Sequence, residues 1–175
     1  GDEILIMNNR SYDWETSRES RMDIIAYNLT SDSIFWYLDN LDNTSSSVRP
    51  VLENGKAYLF GSFFVHCIDV SSGKPLWESK TTDRYGNFNT GNPIVLDNMI
   101  IAKPDSYWIY GLDKNTGSKV FSADNTSPTP DLIQLRNDTL WFGDNGIVAI
   151  DARTGRKLID WNNGKKGWWS APVTP

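Results

Sequence analysis

Cysteine and histidine are nearly missing from this 175-residue chain, which has one of each, Cys67 and His66. A single cysteine excludes an internal disulfide and any multi-cysteine metal site. A lone histidine with no Cys, Asp or Glu at ligand spacing makes no metal pattern. Glu53 and Asp69 flank it only distantly, so no triad is spelled. Long hydrophobic runs are also lacking. None approaches the roughly 20 residues that a membrane-spanning helix needs, and no transmembrane segment is expected. No stretch sustains a period of 3.6 residues, which argues against helices. Positive charge is in deficit, with a net charge of -5 and a pI near 4.8. That balance argues against nucleic acid or an anionic membrane as the main partner, and the Lys165-Lys166 pair is too short to reverse it. The chain opens at Gly1 without a Met or a signal-like stretch, as expected of a processed or trimmed chain.

Aromatic residues are abundant, with eight Trp, seven Tyr and seven Phe, and much of the rest is repetition. An eleven-residue phrase occurs at Ala26–Trp36, Cys67–Trp77, Gly111–Phe121 and Ala149–Ile159. Its acidic or amide position falls at Asn28, Asp69, Asp113 and Asp151, separated by 41, 44 and 38 residues. A period near 40 with strand-like flanks predicts an all-β fold, a β-propeller of four-stranded antiparallel blades with four repeats in this chain. The blades are expected at about 1–47, 48–90, 91–128 and 129–170, with 171–175 beginning or closing a further one.

Each position of the phrase has a structural reading. The small residue that opens it leaves room for a large side chain, and Trp36, Trp77, Phe121 and, more weakly, Ile159 are the candidates to fill that room. Gly73, Gly117 and Gly155 suit a hairpin turn that needs positive φ. The Asp and Thr side chains of the phrase can bond backbone amides inside the same turn. The first copy departs, with Asn28 for Asp and Asp32 where the others carry Gly. Cys67 occupies a small position, where a buried and inert thiol is expected.

Before each of the last three phrases lies a Pro-containing approach, a turn and a strand: Pro50 then Asn54-Gly55, Pro93 then Asp97-Asn98, Pro130 then Asn137-Asp138. Asn54-Gly55 is a strong hairpin dipeptide, and the other two pairs are expected to serve similarly. The first unit carries an insertion, Tyr12 to Arg21, expected as a solvated loop or an extended hairpin. The end of the chain, Ser170 to Pro175, matches another approach, and Gly1 to Met7 matches what should follow one. A window from a longer array, four blades closed on themselves and two chains paired into a larger ring all fit that pattern, because an open array leaves unpaired edges.

The phrases resemble the pyrroloquinoline-quinone-type propeller repeat, Ala-x-Asp-x-x-Thr-Gly-x-x-x-Trp, best at Ala149 to Gly155 and Cys67 to Trp77. The resemblance covers essentially the whole chain and implies a seven- or eight-bladed parent ring. It also implies a bacterial envelope setting, periplasmic or at the cell surface, in a family that includes the lipoprotein assisting outer-membrane protein assembly. In that setting the Asn-x-Ser/Thr triplets at Asn28, Asn43, Asn125 and Asn137 carry no glycan. The family's quinoprotein dehydrogenases use an adjacent-cysteine disulfide and a calcium held by Glu and Asn. One cysteine cannot supply the disulfide, so no cofactor, no metal and no enzyme activity are expected.

A protein-interaction or scaffold role is therefore the expectation, with envelope or outer-membrane proteins as partners. Two variable connections combine aromatic and basic residues that suit binding: Arg84, Tyr85, Asn87 and Phe88, and Lys165, Lys166, Trp168 and Trp169. Asn-rich loops nearby make glycan binding the alternative, and a dehydrogenase fragment is a remoter one.

Overall fold

The computed structural model describes residues 3–13, 18–42, 49–61, 64–81, 93–102, 108–124, 134–143 and 146–162. Every regular element among them is a strand. The chain divides into two compact units, Gly1–Tyr85 and Gly86–Pro175.

The first unit holds two antiparallel sheets. One is β1 (Ile4–Asp13), β2 (Arg18–Asn28) and β3 (Ser33–Asp42), in that order. The other is β4 (Val51–Glu53), β5 (Lys56–Phe60), β6 (Phe64–Asp69) and β7 (Pro75–Lys80). In the second unit the third sheet is β8 (Ile94–Val95), β9 (Met99–Ala102), β10 (Trp108–Asp113) and β11 (Lys119–Asp124). The fourth is β12 (Gln134–Arg136), β13 (Thr139–Gly143), β14 (Gly146–Asp151) and β15 (Lys157–Asn162). All neighbours are sequential and antiparallel, as short hairpin connections allow. Each repeated phrase forms the hairpin between the last two strands of its sheet.

The first sheet has three strands among the described residues, and they correspond to the last three strands of the others. A recurring backbone bond fixes the equivalence. The amide just after the acidic or amide residue of the phrase donates to the carbonyl just before the second of the four pattern strands. The pairs are Leu29 to Glu3 at 2.9 Å, Val70 to Gly55 at 2.9 Å, Lys114 to Asn98 at 3.0 Å and Ala152 to Asp138 at 2.8 Å. Glu3 thus occupies the place that the hairpin turn's last residue holds elsewhere. The insertion after it lengthens both strands, whose pairing runs from Ile4 opposite Asn28 to Asp13 opposite Arg18, with a bulge between Ser11 and Tyr12. The extended-hairpin alternative is the one realised.

The first turn of each full sheet follows its dipeptide. Asn54 and Gly55 have φ of +48° and +74°, and Asn137 and Asp138 have +48° and +56°. Two positive-φ residues in a two-residue loop match the right-handed twist of the flanking strands. Asp97-Asn98 makes a turn at the equivalent place, closed by Leu96 N–H to Met99 O at 2.8 Å, but neither residue has positive φ. The position was readable there and the turn conformation was not.

Alternation divides each sheet into a lock face, which bears the bulky residue of the phrase, and an opposite seat face. In the first unit Ile6, Ile24, Ala26, Trp36 and Leu38 on the lock face of the first sheet pack with Ala57, Leu59, Ile68 and Val70 on the seat face of the second. In the second unit Met99, Ile101, Ile109, Phe121 and Ala123 pack with Leu140, Phe142, Val148, Ile150 and Ala152. Each core is one sheet's lock face laid on the next sheet's seat face.

Candidate functional site

The acidic residues that chemistry would look to first are committed to the turns. Asp69 Oδ1 accepts Ser71 Oγ at 2.6 Å, Ser72 Oγ at 2.8 Å and Ser72 N–H at 2.8 Å. Asp113 Oδ1 accepts Asn115 N–H at 2.9 Å, Thr116 N–H at 2.8 Å and Thr116 Oγ1 at 2.9 Å. Asp151 Oδ1 accepts Arg153 N–H at 3.0 Å, and Thr154 N–H and Oγ1 both at 2.9 Å. Asn28 Oδ1 does the same with the amides of Thr30 at 2.9 Å and Ser31 at 3.0 Å. The hydroxyl then accepts an amide further along: Ser118 N–H reaches Thr116 Oγ1 at 3.2 Å, and Arg156 N–H reaches Thr154 Oγ1 at 3.3 Å. Arg153 adds an exposed ion pair to Asp138 at 3.2 Å, between the two turns of the fourth sheet.

These bonds favour the ionised carboxylate. The Ser71 and Ser72 hydroxyls hold Asp69 below the usual range, and the Thr154 hydroxyl, then the Thr154 and Arg153 amides, do so for Asp151. A folded-state value below the unfolded one means that the unfolded chain binds more protons in the interval between them. The resulting stability is complete above the ordinary Asp value of 3.8 and is lost as pH falls through the lowered one. Asp69→Asn with Asp151→Asn keeps a carbonyl acceptor in each turn, as Asn28 does natively, and removes the titration. Thermal unfolding followed from neutral pH into acid should therefore show a shallower acid decline for the double variant. A decline as steep as that of the unaltered chain would show that these turns do not set acid stability.

The bulky residue of each phrase covers the small one, as expected from the sequence. Ala26 pairs with Trp36, Cys67 with Trp77, Gly111 with Phe121 and Ala149 with Ile159 across the same hairpin. At Gly111 a methyl group would stand 2.6 Å from Phe121 Cδ1 and 2.7 Å from Met99 Sδ. The Trp36 and Phe121 rings also reach the following sheet, which the sequence reading missed. Trp36 lies over Gly73, where a methyl group would come within 2.7 Å of its Cδ2. Its Nε1–H donates to the Val70 carbonyl at 2.7 Å. Phe121 lies over Gly155, where a methyl group would stand 2.8 Å from its Cγ. Gly73 and Gly155 both have φ of +70°, so each is fixed twice, by the turn and by the ring above it. The available signal was the pairing of an aromatic in one phrase with the turn glycine of the next.

Cys67 is fully buried and reduced, and burial pushes its thiol up to about 11, in keeping with the inert thiol expected. It pairs with Tyr58, also fully buried, whose phenol burial raises to about 12; the Tyr58 ring lies 6.1 Å from that of Trp77. His66 is buried in the same sheet, its Nδ1 3.9 Å from Glu78. Lys114 is buried too and donates to the Leu96 carbonyl at 2.9 Å. Among the described residues no group of three or more His, Cys, Asp or Glu side chains is placed to hold a metal. No helix among them is long and apolar enough to cross a membrane.

The sequence-derived binding candidates, Arg84, Tyr85, Asn87 and Phe88 with Lys165, Lys166, Trp168 and Trp169, all lie outside the described residues. The structural repeat residues Asn28, Trp36, Asp69, Gly73, Trp77, Asp113, Gly117, Phe121, Asp151 and Gly155 are all described and occupy turns and hairpins of the sheets.

Sheets of this pattern, stacked lock face on seat face, define a β-propeller built from pyrroloquinoline-quinone-type repeats. The family described as outer membrane protein assembly factor BamB matches residues 20–168, and the chain belongs to that family. No curated protein matches it by sequence. BamB from Moraxella catarrhalis is similar in structure, with a TM-score of 0.67 and 16% identity over 89% of this chain and 48% of that one. The quinohemoprotein alcohol dehydrogenase from Comamonas testosteroni is similar with a TM-score of 0.56 and 18% identity, covering 67% of this chain and 21% of its own. The computationally designed Ika8 protein reaches a TM-score of 0.62 at 13% identity, covering 87% of this chain and 45% of its own. The chain spans less than half the length of each. Likenesses this distant show the fold, and a fold does not carry an activity with it.

Proposed function

We propose that this chain is a non-catalytic protein-interaction scaffold of the bacterial cell envelope, docking envelope or outer-membrane proteins through the loops between its blades. The observation that carries this reading is the family match over residues 20–168. A second observation agrees with it: Asp69, Asp113 and Asp151 are held in turns by three hydrogen bonds each. In this reading the loop residues Arg84, Tyr85, Asn87 and Phe88, and Lys165, Lys166, Trp168 and Trp169, form the contact surface. Trp, Tyr and Arg concentrate binding energy where they are desolvated at an interface.

The test is capture of outer-membrane proteins from envelope extracts by the chain and by Tyr85→Ala/Phe88→Ala and Trp168→Ala/Trp169→Ala variants. The expected result is loss of capture with an unchanged melting temperature. Saturable, competable signal on a glycan array, with capture unaffected, would move the assignment to carbohydrate recognition. Stoichiometric quinone binding with calcium and alcohol-dependent dye reduction would replace it with a dehydrogenase.

A further inference from the structure

The last strand of every sheet is broken at the same place. Ile34 stands opposite Tyr27 and Trp36 opposite Ala26, so Phe35 has no residue of β2 across from it. Leu76 is left over in the same way between Pro75 and Trp77, Val120 between Lys119 and Phe121, and Leu158 between Lys157 and Ile159. Each is a β-bulge, whose extra residue bends the strand and sharpens its twist. The pairings between the other strands of the three four-stranded sheets run without a shift. The bulged residues are apolar, yet Phe35, Leu76, Val120 and Leu158 are 45, 50, 52 and 43% exposed.

The bulged strands are the ones that need protection. An edge strand offers a row of backbone N–H and C=O groups to any other strand that meets it. In the four-stranded sheets the edge formed by the first strand is short, with three, two and three residues in β4, β8 and β12. The edge formed by the last is longer, with six residues each in β7, β11 and β15, and no described strand pairs with its outer side. The residue just before the bulge adds a second obstacle there: Pro75, which has no N–H to donate, and Lys119 and Lys157, exposed charges on the edge. β3 is the exception at that position, with Ile34, 60% exposed. It is also the longest of the four, at ten residues, and the one broken twice, since Asp39 to Leu41 span the place of Asp23 alone. No last strand keeps more than four consecutive residues in regular pairing.

We propose that the repeated phrase builds into each sheet a guard against strand addition: the residue before the bulky one is the bulge, and Pro or Lys precedes it in three sheets. The last strands then refuse both the strand of a second copy and an extended segment of another protein. The device is local. Val120 can be removed without changing either neighbour's partner, since Lys119 and Phe121 already stand opposite the adjacent residues Leu112 and Gly111. Its removal leaves five residues in unbroken pairing, Lys119 and Phe121 to Asp124.

Removal of Val120 from the full chain, combined with Lys119→Thr, opens that edge. In sedimentation it should bring association to a concentration about 10- to 100-fold below that of the unaltered chain. Ser122→Lys added to this variant should reverse the shift, because Ser122 is exposed on the same strand and a charge there blocks the edge again. That reversal separates edge pairing from aggregation of unfolded chain. A second variant, Pro75→Thr with Lys119→Thr and Lys157→Thr, changes exposed residues only and keeps every bulge. It should shift association the same way, by about 3- to 10-fold. The proposal is overturned if the shortened chain is folded and associates no more readily than the original, or keeps its shift with Ser122→Lys. If circular dichroism shows the shortened chain unfolded, an unshifted triple variant overturns it and a shifted one supports it.

Discussion

Gly155→Val is expected to cost about 3–5 kcal/mol, the sum of about 1–3 kcal/mol for a β-branched side chain at positive φ and about 1–3 kcal/mol for an overfilled core. The backbone there has φ of +70°, and a methyl group would stand 2.8 Å from Phe121 Cγ. Either the turn or the ring must move. If the ring moves, it leaves the core it forms with Leu140, Phe142 and Ile150. Gly55 separates the two contributions, because it has φ of +74° and nothing within 4 Å of its β-position. Gly55→Ala should therefore show the backbone penalty alone, about 1 kcal/mol, while Gly155→Ala shows that penalty and the clash. Urea unfolding of the two alanine variants reads the difference. Equal losses would mean that the Phe121 contact contributes nothing.

The contrast between these glycines also shows how far the sequence can be read. Gly155 announces its turn because everything the turn needs lies within four residues: Asp151 as acceptor, Thr154 as donor and acceptor, glycine for positive φ. Local chemistry of this kind is legible in a single chain, and it located all four hairpins. Asp32 was readable as the one non-glycine in that place, and it does hold φ of +54°. The second role of Gly155, as the floor beneath Phe121, depends on a residue 34 positions earlier and on which face of which sheet meets the next. That information is in the repeat, but only once strand register is known, because a shift of one residue turns every side chain to the other face. The Asp97-Asn98 turn shows a different limit, since the same residue types serve with positive φ at Asn137-Asp138 and without it here. The insertion from Tyr12 to Arg21 was ambiguous for a related reason: mixed charges and aromatics suit a solvated loop and an extended hairpin equally. The aromatics proposed for binding, Tyr85, Phe88, Trp168 and Trp169, stand out by composition. Composition says which residues can bind and is silent on where the chain puts them.

Trp36→Ala should cost about 3 kcal/mol, as large-to-small changes at packed aromatic positions do, and the loss should be confined to the first unit. The indole does three things at once. It pairs with Ala26 across its own hairpin, lies over Gly73 of the second sheet, and donates Nε1–H to the Val70 carbonyl at 2.7 Å. Val70 in turn donates its own amide to Gly55 at 2.9 Å, so the indole bonds to a residue that already ties together both turns of the second sheet. Trp36→Phe keeps the ring over Gly73 and removes only the donor, which should cost about 1 kcal/mol, the net worth of one hydrogen bond. The difference between the two variants then isolates the packing of the ring. Native-state hydrogen exchange gives the location as well as the size of the effect. Amides of β2 to β7 should exchange faster in Trp36→Ala, and those of β9 to β15 should keep their protection, because among the described residues the core built around Phe121 shares no residue with the one built around Trp36. Loss of protection throughout both units would show that they unfold as one, and would mean that Trp36 supports more of the molecule than the sheet pair it joins.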